Sequence, residues 1–219
     1  MEPVARDVTD RGELVLRRRD DGHLELRANG VFVMDTLEHT SEDALAARAL
    51  AVAGPGSLSV LVGGLGLGYT LAATLANDRV TRCVVAEIEP ALVGWLRDGT
   101  VPHGPGLLAD PRVEVVVGDV ADALRSAREE YDVVLLDVDN GPAFLVHDDN
   151  ARLYGVPLLT AARDALRPGG TLVVWSAAAA PDLEAALRHV LGNAAEERCP
   201  VPAHGRVGDY FLYLARRPA

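Results

Sequence analysis

Four closely spaced glycines, in Val62-Gly63-Gly64-Leu65-Gly66-Leu67-Gly68, separate an apolar stretch from a helical one. Glycine lets backbone approach a ligand closely, and the free N–H groups of a following helix suit a polar ligand. Glu87 ends the next apolar stretch, about twenty residues on, where an acid can accept both hydroxyls of a ribose. Gly118-Asp119 ends the third. Asp119 and the Val120 N–H together match an adenine amino group and ring nitrogen, and Asp119 also suits a helix N-cap. Asp137 ends the fourth stretch, with Asp139 and Asn140 just beyond, where polar groups meet the reactive end of such a ligand. An NAD site needs no adenine-binding acid after the third strand, so the set of acids favours S-adenosylmethionine.

The elements that must position these residues alternate. A continuous apolar strand is expected at Leu58–Val62, with further strands at Arg82–Ala86, Arg112–Val117, Asp132–Leu136 and Thr171–Trp175, and a last strand at Tyr210–Ala215. Helices are expected between them, over Tyr69–Ala76, Pro90–Arg97, Val120–Glu129, Asn150–Leu166 and Pro181–Leu191. This alternation predicts an α/β, Rossmann-like fold: a mostly parallel seven-stranded sheet with helices on both faces. Ligands bind such sheets at the carboxyl ends of the strands, where the acids fall. Upstream, Asp21-Gly22 and Asn29-Gly30 are hairpin turns, because both positions tolerate positive φ. They predict a three-strand β-meander over Glu13–Arg19, His23–Ala28 and Val31–Met34. A helix then runs from Thr40 or Ser41 to Val52, with either residue as its cap. Residues 1–40 are expected to form a small appendage, and 41–219 a nucleoside-binding catalytic domain.

Nearly half of the 219 residues are apolar (49%), enough for a substantial core, and the formal charge is -11. An acidic surface repels phosphate backbones and anionic membranes, so neither a nucleic-acid nor a membrane partner is expected. The 2 cysteines show no metal-site spacing. His147-Asp148-Asp149 reads as a charged loop, because adjacent residues rarely face one ion, so no metal is expected. A charged N-terminus and the lack of a long apolar run lead to an expectation of a cytoplasmic protein.

On these residues the chain resembles the spermidine synthase (aminopropyltransferase) family, within the class I S-adenosylmethionine-dependent methyltransferase fold. The matching stretches are Val60–Gly68, Val85-Ala86-Glu87-Ile88-Glu89-Pro90, Asp110-Pro111-Arg112-Val113 through Asp119, Tyr131-Asp132-Val133-Val134 through Asp137, and Leu166-Arg167-Pro168-Gly169-Gly170. The resemblance implies S-adenosylmethionine or its decarboxylated form as cofactor, and a small, cationic amine as acceptor. It implies cofactor contacts from Gly64, Gly66, Leu67, Gly68, Glu87, Ile88, Asp119, Val120, Asp137 and His39. Asp137 is also the implied catalytic acid that deprotonates and orients the amine. Asp139, Asn140, Tyr154 and Tyr210 are the candidate acceptor contacts, and a homodimer is a further expectation.

Three departures separate the chain from that family. The glycine loop has Leu67 where the family carries an Asp that pairs with the decarboxylated cofactor's amine. Adenosylmethionine has a zwitterionic tail, which a nearby acid would repel. Plant putrescine N-methyltransferases also carry an apolar residue in this loop. The family's Asp-Ser-Ser-Asp-Pro is replaced by Asp137-Val138-Asp139-Asn140-Gly141-Pro142, and the helix from Ser41 lacks a Tyr-Gln-Glu cluster. Three functions follow: methyl transfer to an amine, favoured by Leu67; aminopropyl transfer, favoured by the overall likeness; or a non-catalytic nucleoside-binding or interaction role. Strand five ends in Trp175-Ser176-Ala177 rather than an Asp-Asn pair, which argues against a metal-dependent catechol-type methyltransferase.

Overall fold

A computed structural model describes residues 2–138, 140–142, 144–203 and 206–219. The chain begins with an antiparallel sheet of four strands: β1 (Glu2–Thr9), β2 (Gly12–Arg18), β3 (Leu24–Ala28) and β4 (Val31–Asp35), in that order. The two expected turns are present, with positive φ at Gly22, Asn29 and Gly30. The meander has one strand more than its sequence predicts, because β1 is an edge strand of mainly exposed residues without apolar alternation.

Helix α1 (Thr40–Val52) leads into the body. Its N-cap is His39, whose side chain does not cap the helix, so neither Thr40 nor Ser41 fills that position. The body follows as β5 (Leu58–Gly63), α2 (Tyr69–Leu75), β6 (Val80–Glu87), α3 (Pro90–Arg97), α4 (Gly104–Leu108), β7 (Val113–Val117), α5 (Val120–Ser126) and β8 (Tyr131–Leu136). It ends with α6 (Val156–Ala165), β9 (Leu166–Ser176), α7 (Pro181–Leu191), β10 (Ala195–Ala203) and β11 (Arg206–Arg216). The helix expected over Asn150–Leu166 is divided. A 3-10 segment spans Asp148–Tyr154, extended backbone at Gly155 interrupts it, and Pro157 sits in the first turn of α6.

The main sheet is mixed, in the order β10-β11-β9-β8-β5-β6-β7. Strands β5 to β9 pair in parallel, and β11 and β10 close one edge in antiparallel fashion. The chain steps outward from β5 through β6 to β7, then returns to β8 on the other side of β5. This reversal leaves a crevice beyond the carboxyl ends of β5 and β8, and there the Asp137 N–H bonds the Gly63 carbonyl at 2.9 Å.

Each face of the sheet is covered. One core joins Val60, Val62, Val85 and Val173 to α1, α2, α3 and the inward leucines of the N-terminal sheet, Leu14, Leu16, Leu24 and Leu26. The other joins Leu61, Val134, Leu136 and Val174 to α5, α6 and α7. The N-terminal sheet therefore shares a core with the glycine-loop side of the body. Burying each such leucine contributes about 2 kcal/mol.

Candidate functional site

A cleft opens beyond the carboxyl ends of β5, β6, β7 and β8. Its walls include Gly64, Gly66, Glu87, Ile88, Asp119, Val120 and Asp137. Seven of the predicted cofactor contacts, from four strand ends, therefore share one cavity. The roof is apolar and comes partly from the N-terminal sheet, through Leu14, Leu26, Ala28 and Val33.

The glycine loop is shaped by close approach. Gly64 has φ +91, and a Cβ there would stand 2.1 Å from the Asp137 carbonyl oxygen. Gly66 has φ +50, and a Cβ there would stand 2.7 Å from Met34 Sδ of β4. Other predicted loop positions turn away. The Leu67 side chain is fully buried in the core, and the His103 Nε2 donates to its carbonyl at 2.6 Å. Gly68 packs toward Leu96 and Leu107. Leu67 and Gly68 are thus outside the cleft lining, and the loop residues on the cleft, Gly64 and Gly66, also bring no carboxylate.

Glu87 is buried, and its two oxygens accept the Leu65 and Glu89 N–H groups, each at 2.7 Å. Burial raises its carboxyl above the usual range, partly offset by those backbone donors. Asp119 caps α5 by accepting the Ala121 N–H at 2.8 Å, as its sequence context predicts. Its second oxygen accepts from Arg152 at 2.5 Å.

Asp137 accepts the Thr70 hydroxyl at 2.5 Å. Burial pushes its carboxyl up. A second acid lies within its electrostatic reach: Glu42 of α1, buried and bonded to the Ser41 hydroxyl at 2.5 Å. Burial, and then the charge on Asp137, raises Glu42 as well. Sequence reasoning missed Glu42, because nothing in the spacing of α1 reveals which turn meets β8. It also missed Glu89, which lines the cleft; its Oε1 accepts from Arg11 at 2.9 Å, and its Oε2 is buried with no partner among the described residues.

The acceptor candidates divide. Asn140 and Tyr210 line a second cavity with Phe32, Val33, Phe144 and Trp175. Tyr154 is buried and donates to the Val138 carbonyl at 2.7 Å, bracing the loop after β8 from the other core. His39 stacks on Tyr69 with ring centroids 4.1 Å apart and lies outside the lining of both cavities. Asp139 falls outside the described residues.

With this geometry in view, known proteins offer a close parallel. The polyamine aminopropyltransferase 1 of Streptomyces coelicolor is 32% identical over 128 residues, covering 58% of this chain and 23% of that protein. The polyamine aminopropyltransferase of Mycobacterium tuberculosis (strain H37Rv) is 29% identical over 211 residues, covering 93% of this chain and 39% of that protein. The chain is similar in sequence to polyamine aminopropyltransferases and in fold to spermidine synthases. Its fold matches the spermidine synthase of Thermotoga maritima with a TM-score of 0.84 at 18% identity, over 99% of this chain and 73% of that one. A spermidine synthase in complex with the transition-state analogue AdoDATO matches at 0.85 and 19% identity, over 99% of this chain and 74% of that one. Putrescine N-methyltransferase 2 of Nicotiana tabacum is 32% identical over 121 residues, 54% of this chain and 32% of that protein. No protein-family model matches. The chain spans less than half the length of these curated relatives, from 23% to 39%.

Proposed function

We propose that this chain is a transferase that uses S-adenosylmethionine, or its decarboxylated form, to alkylate a small amine-bearing acceptor. One observation carries the reading: glycines and acids from four strand ends line a single cleft that reaches Asp137. The residues fit an adenosyl nucleoside. Gly64 and Gly66 line the cleft where the loop closes on Asp137 and Met34, Ile88 and Val120 offer apolar surface, and Glu87 and Asp119 offer acceptors. When bound, the nucleoside's sulfonium supplies a carbon open to displacement.

The chain's own residues then have two tasks. The cleft holds the reactants in line, which supplies most of what a reaction with a good leaving group needs. The amine must also lose a proton, since amines with a pKa of about 10 are protonated at neutral pH. Asp137, at the end of the cleft, is the group assigned to accept that proton. Glu42, within electrostatic reach of Asp137, adds to the negative potential there when ionised.

Methyl transfer is the favoured form, because neither Gly64 nor Gly66 brings a carboxylate to pair with a decarboxylated cofactor's amine. Aminopropyl transfer is the second reading. Glu42 beside Asp137 supports it, as a replacement partner for that amine, and so do the names of the relatives. Methyl-labelled adenosylmethionine and a panel of amines separate the two. Label in the amine product supports methyl transfer. Methylthioadenosine released from the decarboxylated nucleoside supports aminopropyl transfer. Full turnover by Asp137→Asn removes the role assigned to Asp137. Nucleoside binding with no turnover leaves a non-catalytic protein.

A further inference from the structure

Asp137 is held from the glycine loop and from the helix that the loop feeds. Its N–H bonds the Gly63 carbonyl at 2.9 Å. Its carbonyl oxygen lies so close to Gly64 that a Cβ there would stand 2.1 Å away. Its Oδ2 accepts the Thr70 hydroxyl at 2.5 Å. The first two contacts fix the backbone just beyond β8, and the third fixes the carboxylate.

Thr70 is the second residue of α2 and is 3% exposed, so its hydroxyl must find a partner inside the fold. The helix that carries it is anchored by Leu71 and Leu75 in the core, and the Thr74 hydroxyl donates to the Thr70 carbonyl at 2.7 Å. A β-branched side chain on a helix has few χ1 choices, so a packed helix sets the direction of this hydroxyl. Among the described residues Thr70 is the one hydrogen-bond donor to the Asp137 side chain. The two carboxylate oxygens therefore differ: Oδ2 faces α2, while Oδ1 has no partner among the described residues, on a side chain that lines the cleft.

The electrostatics agree with this division. Burial raises the Asp137 carboxyl, and the Thr70 donor draws it back down by favouring the charged form. Glu42 of α1 lies within electrostatic reach, and Arg11, Glu87, Glu89, Asp119 and His147 share the cleft lining.

We propose that Thr70 is a positioning residue for amine alkylation: its hydroxyl holds Asp137 Oδ2 against α2, so that Oδ1 is the oxygen that takes the proton of the acceptor ammonium. The inference rests on the amine-alkylating reading above and adds the residue that orients its base. In that step the ammonium N–H bond breaks toward Oδ1, and the freed nitrogen lone pair forms the bond to the carbon on sulfur. The C–S electron pair leaves with the sulfur as a neutral thioether, and the alkylated nitrogen carries the positive charge.

Carbon-13 NMR titration of the side-chain carboxyls in the full chain without nucleoside tests this, with the Asp137 signal identified by its loss in Asp137→Asn. Thr70→Val keeps the shape and removes the donor, so the Asp137 midpoint should rise by about 1 pH unit, as the loss of one hydrogen bond to a charged group predicts. Thr70→Ser keeps the donor and should titrate as the wild type does. A cooperative thermal melt of each variant confirms that it is folded. In the amine panel above, Thr70→Val should move the acid limb of kcat/KM up by the same amount, leave adenosylmethionine affinity unchanged, and be rescued by Thr70→Ser. An unmoved Asp137 midpoint in Thr70→Val, a Thr70→Ser variant that titrates like Thr70→Val, or a moved midpoint with an unmoved acid limb would each overturn the inference. If no amine is turned over, the reading above fails, while the titration still decides whether Thr70 holds Asp137.

Discussion

The Arg152 guanidinium donates to Asp119 Oδ2 at 2.5 Å, joining the 3-10 segment after the β8 loop to the end of β7. Asp119 is the acid assigned to the adenine amino group, so the arginine and the base compete for one oxygen. Arg152 is 45% exposed, and a pair this open contributes under about 1 kcal/mol. Arg152→Ala should therefore tighten adenosylmethionine binding by up to about 5-fold, read by calorimetry. A loss of affinity would mean that Arg152 itself touches the nucleoside.

Arg11 and Glu89 form the other latch, tying the β1–β2 turn to the cleft wall at 2.9 Å. Glu89 is 9% exposed on its side chain, so removing Arg11 leaves a nearly buried carboxylate without its partner. Arg11→Ala should lower stability by about 1–3 kcal/mol in chemical denaturation. Glu89→Gln in the same background should restore part of it. No recovery would show that the loss comes from the turn and not from the charge.

Glu42 and Asp137 predict a pH dependence. Both carboxyls are held above their unfolded values by burial, and Glu42 also by Asp137. The folded state thus binds more protons than the unfolded state between the unfolded pKa, about 4, and the raised folded values. Their contribution is complete below pH about 4 and is lost as pH rises through the folded values. Glu42→Gln removes the mutual repulsion, so its melting temperature should exceed the wild type's at pH 8 and converge with it near pH 4. Parallel curves across that range would contradict the pairing.

Gly64→Ala tests the close approach of the loop to β8. A Cβ at φ +91 and 2.1 Å from the Asp137 carbonyl forces the loop or the strand end to move. The expected result is at least about a 10-fold loss of nucleoside affinity and about 2 kcal/mol of stability. Gly106→Ala, where a Cβ would meet nothing within 4 Å, is the control.

Periodicity locates β5, β6 and β8, and with them Glu87 and Asp137, because strands buried on both faces read as continuous apolar runs, while β7 and Asp119 are found from a valine-rich run that ends at Gly118 although β7 is a largely exposed edge strand. The same logic fails at the edges. Strand β10 contains Pro200 and Pro202, which argue against a central strand but are tolerated on the edge that β10 occupies. Leu67 shows a second kind of miss: spacing places it in the glycine loop, but only the turn geometry decides that Gly66 faces the cleft while Leu67 enters the core. The approach of Glu42 to Asp137 and the place of Trp175 in the second cavity are legible only once α1, β8, β9 and β11 are packed together.

The most direct test of the nucleoside-binding account is thermal stabilisation of the purified chain by adenosylmethionine and, separately, by its decarboxylated form. A ligand at about a hundred times its dissociation constant adds roughly 2.7 kcal/mol, a shift easily read. The account predicts stabilisation, larger with adenosylmethionine, that Glu87→Gln diminishes. A larger shift with the decarboxylated form would move the assignment to aminopropyl transfer. No shift with either would contradict the account.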